Sequence, residues 1–205
     1  NHGAIPPGVE SISKVCGTCH VLNAELFSSS PHKKAFDSKN LPECETCHGN
    51  HAIVNSSEKL LGVDDKAVCS KCHTENKEVK GYNSAKIMRQ LMDSLSFEEK
   101  RAIFLIEDAE QKGMEVSEAK FKLRDVRQAK LELRTIIHSF NENKFREEAV
   151  NKGLKVSGEI IKEADGAIDE FYFRRYGLGA ATLIISIVVI TLYLIIRRKE
   201  SAKIS

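Results

Sequence analysis

The sequence predicts a mainly α chain in three parts. These are a loop-rich domain over residues 1–80, an antiparallel three-helix, coiled-coil-like bundle over 84–176, and one transmembrane helix over 177–196, with 197–205 as a short tail. Three observations predict this order. Residues 1–80 hold all six Cys, all four Pro and six of the seven His. Residues 84–176 are charged, Pro-free and carry apolar residues every three or four positions. Residues 177–196 carry no charge. Over the 205 residues the formal net charge is +2, so the bulk basic signature of a nucleic-acid binder is missing and no nucleic-acid partner is expected.

In the first part the six Cys fall into three identical frames: Cys16-Gly17-Thr18-Cys19-His20, Cys44-Glu45-Thr46-Cys47-His48 and Cys69-Ser70-Lys71-Cys72-His73. C-x-x-C-H is the attachment signature of c-type haem. The two thiols bond to the macrocycle, and the following His lies under the iron as its proximal ligand. Structural zinc also uses C-x-x-C pairs, but it does not ask for a His after each pair, and three pairs do not divide into four-coordinate sites. A disulfide framework leaves the three His unexplained. The expectation is three haem c groups, with His20, His48 and His73 on the irons. A chain of this length has little else from which to build a core, so haem surface and covalent links are expected to hold it together.

Four His remain for the sixth positions: His2, His32, His51 and His138. His51 lies three residues beyond His48, where the pair can face different ways and reach neighbouring haems. His32 lies between the first two frames. His138 is far along the chain, and its candidacy depends on the bundle returning to the haems. His2 is a terminal residue and the weakest candidate. Met88, Met92 and Met114 lie in a helical apolar pattern and are read as core. The expectation is therefore three bis-His haems of low potential, since a Met ligand would raise it.

The run His32…Cys44-Glu45-Thr46-Cys47-His48-Gly49-Asn50-His51 resembles the small multihaem cytochromes of the cytochrome c3-like group. The likeness covers residues 9–80. It implies bis-His, low-potential electron carriers of anaerobic respiration. This chain departs from the tetrahaem members in having three frames and a long helical extension, so their ligand pairing does not carry over.

The middle part carries three stripes. Met88, Leu91, Leu95, Ala102, Leu105 and Ala109 form the first, interrupted by Glu98, and Gly113 stops it. Ser117 is placed to cap the next, with Val116, Ala119, Leu123, Val126, Leu133, Ile137 and Phe140, interrupted by Lys130. After a break at Asn141-Glu142-Asn143 comes the third, with Val150, Leu154, Ser157, Ile161, Ala164, Ile168 and Phe171. Short breaks make the helices antiparallel neighbours. The first helix then runs about 43 Å from the haems and the second returns, bringing His138 back near the third haem. Gly153, Gly158 and Gly166 each lower helix propensity, and allow close contact or a bend.

Residues 177–196 are long enough to span a bilayer as a helix. Arg197, Arg198 and Lys199 follow at once and favour a cytoplasmic C-terminus, while Arg174 and Arg175 at the other end weaken that bias. The resemblance to c-type cytochromes places the haem domain outside the cytoplasm, so the expected location is the cell (inner) membrane, single pass. Residues 1–7 read as a mature N-terminus or a trimmed fragment.

Together these readings predict an electron carrier between a membrane quinol-linked complex and an extracytoplasmic redox partner, as a subunit of a larger membrane complex. The expected partners are the lipid bilayer and other redox proteins. The haem domain carries nine Lys and Arg against ten Asp and Glu, so haem propionates would make it acidic and suit a positive docking patch. A direct menaquinol dehydrogenase is the first alternative. A small-molecule reductase would need an open iron, and there are enough His to fill all three. A haem-based sensor would need a cytoplasmic output domain, and 197–205 is too short for one. Helix-driven oligomers would indicate an assembly role.

Overall fold

The computed structural model describes residues 12–49, 53 and 55–204. His2 and His51 lie outside the described residues. The described residues are mainly helical and contain no strand.

The N-terminal part holds four short helices, α1 (Ile12–Gly17), α2 (Val21–Ser28), α3 (Pro31–Lys39) and α4 (Glu43–His48). The helices are more than a loop-rich reading expects of residues 12–49, while the described residues from 53 to 78 carry no helix beyond 3₁₀ turns at Glu58–Leu60 and Cys69–Lys71. Helices of six to nine residues complete too few turns to write an apolar period, which is why the sequence pattern hid them. Local chemistry sets their bounds. Pro31 opens α3, where its fixed φ suits the first turn and its missing N–H costs nothing. Asn40, in the left-handed region at φ 50°, closes it, and Leu41 N–H donates to Phe36 O at 3.0 Å. Gly17 lets α1 cross α2 closely, because a Cβ there would lie 2.8 Å from that of Ala24. Ahead of α5 the only buried apolar residues among those described are Phe27, Phe36 and Ala67.

The bundle consists of α5 (Val79–Gln111), α6 (Ser117–Ile136) and a third rod. The rod is α7 (Glu142–Glu148), a π-helical segment (Ala149–Leu154) and α8 (Lys155–Ile204) without a break. α5, α6 and the rod close on one core, with Met92, Leu95, Ile106, Val126, Leu133, Phe145 and Ile160 at its centre. Met88 is buried with them and Met114 packs against the edge. Ion pairs fix the direction of each neighbour. Lys120 meets Glu110 and Lys130 meets Glu99 at 3.0 Å; Lys122 meets Glu163 at 3.2 Å and Lys152 meets Glu132 at 3.4 Å. Partner numbers fall as α6 numbers rise, so α6 is antiparallel to both. Such exposed pairs specify register more than they stabilise.

Two local expectations are corrected. Ser117 is the first residue of α6 and not its cap; its N–H is taken by Glu115 Oε1 at 2.9 Å. Val150 does not face the core but is 38% exposed, while Phe145 and Ala149 are fully buried. The π turn inserts one residue into the helical register, so the apolar face moves back by one position. Gly153 lies at the crossing, where a Cβ would come within 2.8 Å of Leu95 Cδ1.

The bundle and the N-terminal part are clamped together. Arg89 of α5 donates to the carbonyls of Glu58 and Leu61 at 3.1 and 3.0 Å and pairs with Asp93 at 2.8 Å. The Glu58 carboxylate accepts from Ser96 at 3.2 Å and meets Lys130 at 3.3 Å. Lys130, the interruption in the second stripe, thus serves this clamp.

At the far end of the rod one stretch is long and apolar enough to cross a membrane, and none of it is buried in the protein. Just before it, Tyr172 lies under Lys112, whose Nζ is 5.8 Å from the ring centre. The α5–α6 turn therefore sits at the end of the bundle next to the apolar stretch, and the four short helices sit at the opposite end.

Candidate haem centres

Each C-x-x-C-H frame forms one helical turn. His20 N–H donates to Cys16 O at 2.9 Å and His73 N–H to Cys69 O at 2.9 Å, while the second frame lies within α4. On such a turn positions i, i+3 and i+4 share a face, so two thiols and the imidazole are presented together. A hydroxyl inside each frame ties the turn down. Thr18 donates to Val15 O at 2.5 Å, Ser70 to Ala67 O at 2.7 Å, and Thr46 to Pro42 O.

The three frames are gathered into one cluster with the second in the middle. The Cys44 thiol, in contact with Cys16, is pushed up to about 12, first by burial. Cys47, beside Cys69 and Cys72, is pushed up to about 11, again first by burial. None of the six Cys forms a disulfide.

Four of the predicted imidazoles meet in two pairs. His48 and His138 face each other with ring centres 6.0 Å apart and planes 18° from parallel. His32 and His73 have centres 5.8 Å apart and planes at 79°. Two imidazoles on a shared metal, with metal–nitrogen bonds of about 2.0–2.1 Å, put their ring centres about 6 Å apart. Both pairs therefore have the separation that one iron spans. His138 meets the second frame, which corrects the expectation that it returns near the third. The turn between α6 and α7 lies beside both pairs, and its Phe140 is the residue that reaches the pair at the third frame, 3.8 Å from His32 between ring centres.

The electrostatics favour neutral, ligating rings. Burial, then the charge of His73, lowers His32 to about 4. Burial, then His20, lowers His48. Burial also lowers His138, with its hydrogen bond to Thr135 opposing. His138 Nδ1 lies 3.1 Å from Thr135 O. A carbonyl only accepts, so Nδ1 carries the proton and Nε2 keeps its lone pair for a metal.

A haem fits these residues. Its macrocycle supplies four bonds to iron and asks only two from the protein, which is what each pair offers. Among the described residues no three His, Cys, Asp or Glu converge as a site built from protein ligands alone would require. The exposed Val21 and Leu22 directly after His20, and the few buried apolar residues among those described ahead of α5, leave surface that a macrocycle would cover.

Sequence reasoning missed two participants. Phe140 reads as the last residue of an apolar stripe, and only its left-handed φ of 50° aims it at His32. Gly81, in the first turn of α5, lies so close under His73 that a Cβ would be 2.2 Å from Nδ1. Nothing in the sequence marks either.

The family model of a doubled C-x-x-C-H motif matches residues 30–78, about a quarter of the chain, and takes in His32 and the second and third frames. No curated protein and no solved structure matches the chain. The match points to covalently bound c-type haem and a multihaem, cytochrome c-like protein.

Proposed function

We propose that this chain is a membrane-anchored trihaem cytochrome that carries electrons between a quinol-linked membrane complex and an extracytoplasmic redox partner, as a subunit of a larger assembly. One observation carries the reading. Imidazoles from distant segments meet in pairs at the separation one iron spans, and each pair includes the His of a C-x-x-C-H frame. In this reading His48 and His138 hold the second haem, and His73 and His32 the third. The first haem has His20 as proximal ligand, with His51 or, less favourably placed in the chain, His2 as its partner. The apolar stretch 177–196 is the anchor, with 197–205 inside the cytoplasm.

Filled axial positions suit electron transfer and disfavour small-molecule reduction, which needs an exchangeable site. Height disfavours direct quinol oxidation. α5 has 33 residues, so the haem cluster stands about 50 Å from the α5–α6 turn at the membrane end. A quinol head group in the bilayer lies beyond direct contact, and an intermediate carrier must bridge that gap.

The test uses the full chain in detergent. A haemochrome assay and intact mass should give three haems per polypeptide. Mixed anaerobically with a reduced menaquinol analogue, the protein should stay oxidised yet be fully reduced by dithionite. Rapid reduction by the quinol alone would establish the direct dehydrogenase instead. His138→Ala should convert one haem to a high-spin or ligand-exchanging form; an unaltered spectrum would remove His138 from the site.

A further inference from the structure

We infer that the third haem is more readily reduced than the second, because Phe140 and Gly81 hold its axial imidazoles crossed while those of the second lie parallel. This rests on the ligand assignment proposed above.

The two pairs differ by orientation, at 79° for His32 and His73 against 18° for His48 and His138. The causes of that difference are visible. In the second pair His138 is turned by its hydrogen bond to Thr135. In the third, Nδ1 of both His32 and His73 is buried without a hydrogen-bond partner among the described residues. Among the described residues, packing contacts are what hold those rings. Phe140 packs against His32 with ring centres 3.8 Å apart and planes tilted by 40°, and Phe36 meets it edge-on at 5.8 Å. His73 is seated in the gap that Gly81 leaves. Phe140 reaches His32 only through a left-handed backbone, a conformation costly for a bulky residue and found where the surroundings enforce it. Phe140 and Gly81 are positioning residues for the third haem.

Orientation matters through the ferric ion. Low-spin ferric iron has one vacancy in its two π-symmetry d orbitals that face the imidazoles. Each ring donates into the orbital perpendicular to its own plane. Parallel rings both raise the same orbital, split the two, and stabilise the ferric state. Crossed rings raise both equally, so that stabilisation is lost. Ferrous iron has both orbitals filled and gains from neither arrangement. The lack of an Nδ1 partner among the described residues acts in the same direction, because such a bond increases ligand basicity and favours the higher charge. An electron on the second iron therefore passes downhill to the third, leaving the second ferric and the third ferrous.

The experiment is a redox titration of the full-length protein in detergent, followed by EPR of the ferric haems. Crossed imidazoles give a single strongly anisotropic feature at large g, and parallel imidazoles give a rhombic spectrum. Both types are expected, and the large-g feature attributable to the third haem should vanish at higher potential than the rhombic one. His138→Ala should remove a rhombic signal and so assign the second haem. Phe140→Gly keeps the backbone content, since glycine suits that φ. It should move one haem's worth of large-g intensity toward the rhombic type and lower that haem's midpoint, leaving the His138-assigned signal unchanged. The difference spectrum cancels the first haem. A fully low-spin spectrum with no large-g feature, a reversed order of reduction, or a Phe140→Gly spectrum equal to the parent would overturn the inference while leaving the ligands in place. High-spin intensity in the parent that His32→Ala leaves unchanged would instead bring down the ligand assignment.

Discussion

Replacing Gly81 with Ala sets two physical effects against each other. In an ordinary helix interior Ala is favoured over Gly by about 1 kcal/mol, so propensity alone predicts a more stable α5. The structure predicts the opposite. The new Cβ would lie 2.2 Å from His73 Nδ1 and 2.3 Å from Cε1. Carbon contacts are comfortable at about 3.5–4.0 Å, so the ring must retreat by more than an ångström. Forced overpacking costs about 1–3 kcal/mol, and a ligand bonded to iron has little freedom to move that far. The expected outcome is a net loss of up to about 2 kcal/mol, with one haem of the protein becoming high-spin or open to exogenous ligand. The assay pairs thermal unfolding, followed by helical circular dichroism, with cyanide or carbon monoxide binding read in the Soret band. A Gly81→Ala protein that melts higher and binds no added ligand would refute the reasoning, for then His73 is not fixed where the structure puts it.

Three further outcomes are expected. Arg89→Ala removes two hydrogen bonds from a charged donor to carbonyls, so it should cost about 2–3 kcal/mol and expose the segment around Glu58–Leu61 to limited proteolysis. Among the bundle glycines, Gly153→Ala should destabilise by about 1–3 kcal/mol because Leu95 occupies the space, whereas Gly158→Ala and Gly166→Ala meet nothing within 4 Å and should stabilise by up to about 1 kcal/mol each in chemical denaturation. The pH dependence follows from His32, His48 and His138, all lowered by burial. Their folded forms bind protons less readily than the unfolded chain, so their contribution is complete above about pH 6.5 and lost as pH falls, for His32 down to about 4. Urea midpoints at pH 7.5, 6 and 4.5 should decrease in that order, and a flat series would contradict it.

What was legible in the sequence was what is local. Cys16, Cys19 and His20 fall on one helical turn, and the same holds for the other two frames, so each motif can be read without knowing the fold. The stripes of α5 and α6 were legible because Leu95, Val126 and Leu133 repeat at the helical period over many turns. Which imidazoles would meet across the chain was not legible. His32 and His73 are brought together by the way the chain doubles back, and His138 reaches His48 because of where the α6–α7 turn lands. The third stripe was misread at Val150 because a π turn leaves no mark on composition. The short N-terminal helices were hidden because their stability comes from what they pack against, and too few residues repeat to reveal a face.

The rod from Glu142 to Ala202 runs 61 residues without a hinge, from the haem end of the bundle to the far side of the apolar stretch. The bundle grips its upper half, so the whole head moves with the apolar stretch. That makes the rod a lever. Transmembrane helices tilt by about 20° on average, and a longer or shorter apolar core changes the angle. At an arm of about 50 Å, a change in tilt of about 20° swings the haem end sideways by about 17 Å. On the proposed function, bilayer thickness would be a mechanical input to the lateral reach of the haem end, and a redox partner in the same membrane would have to match that stance as well as its height.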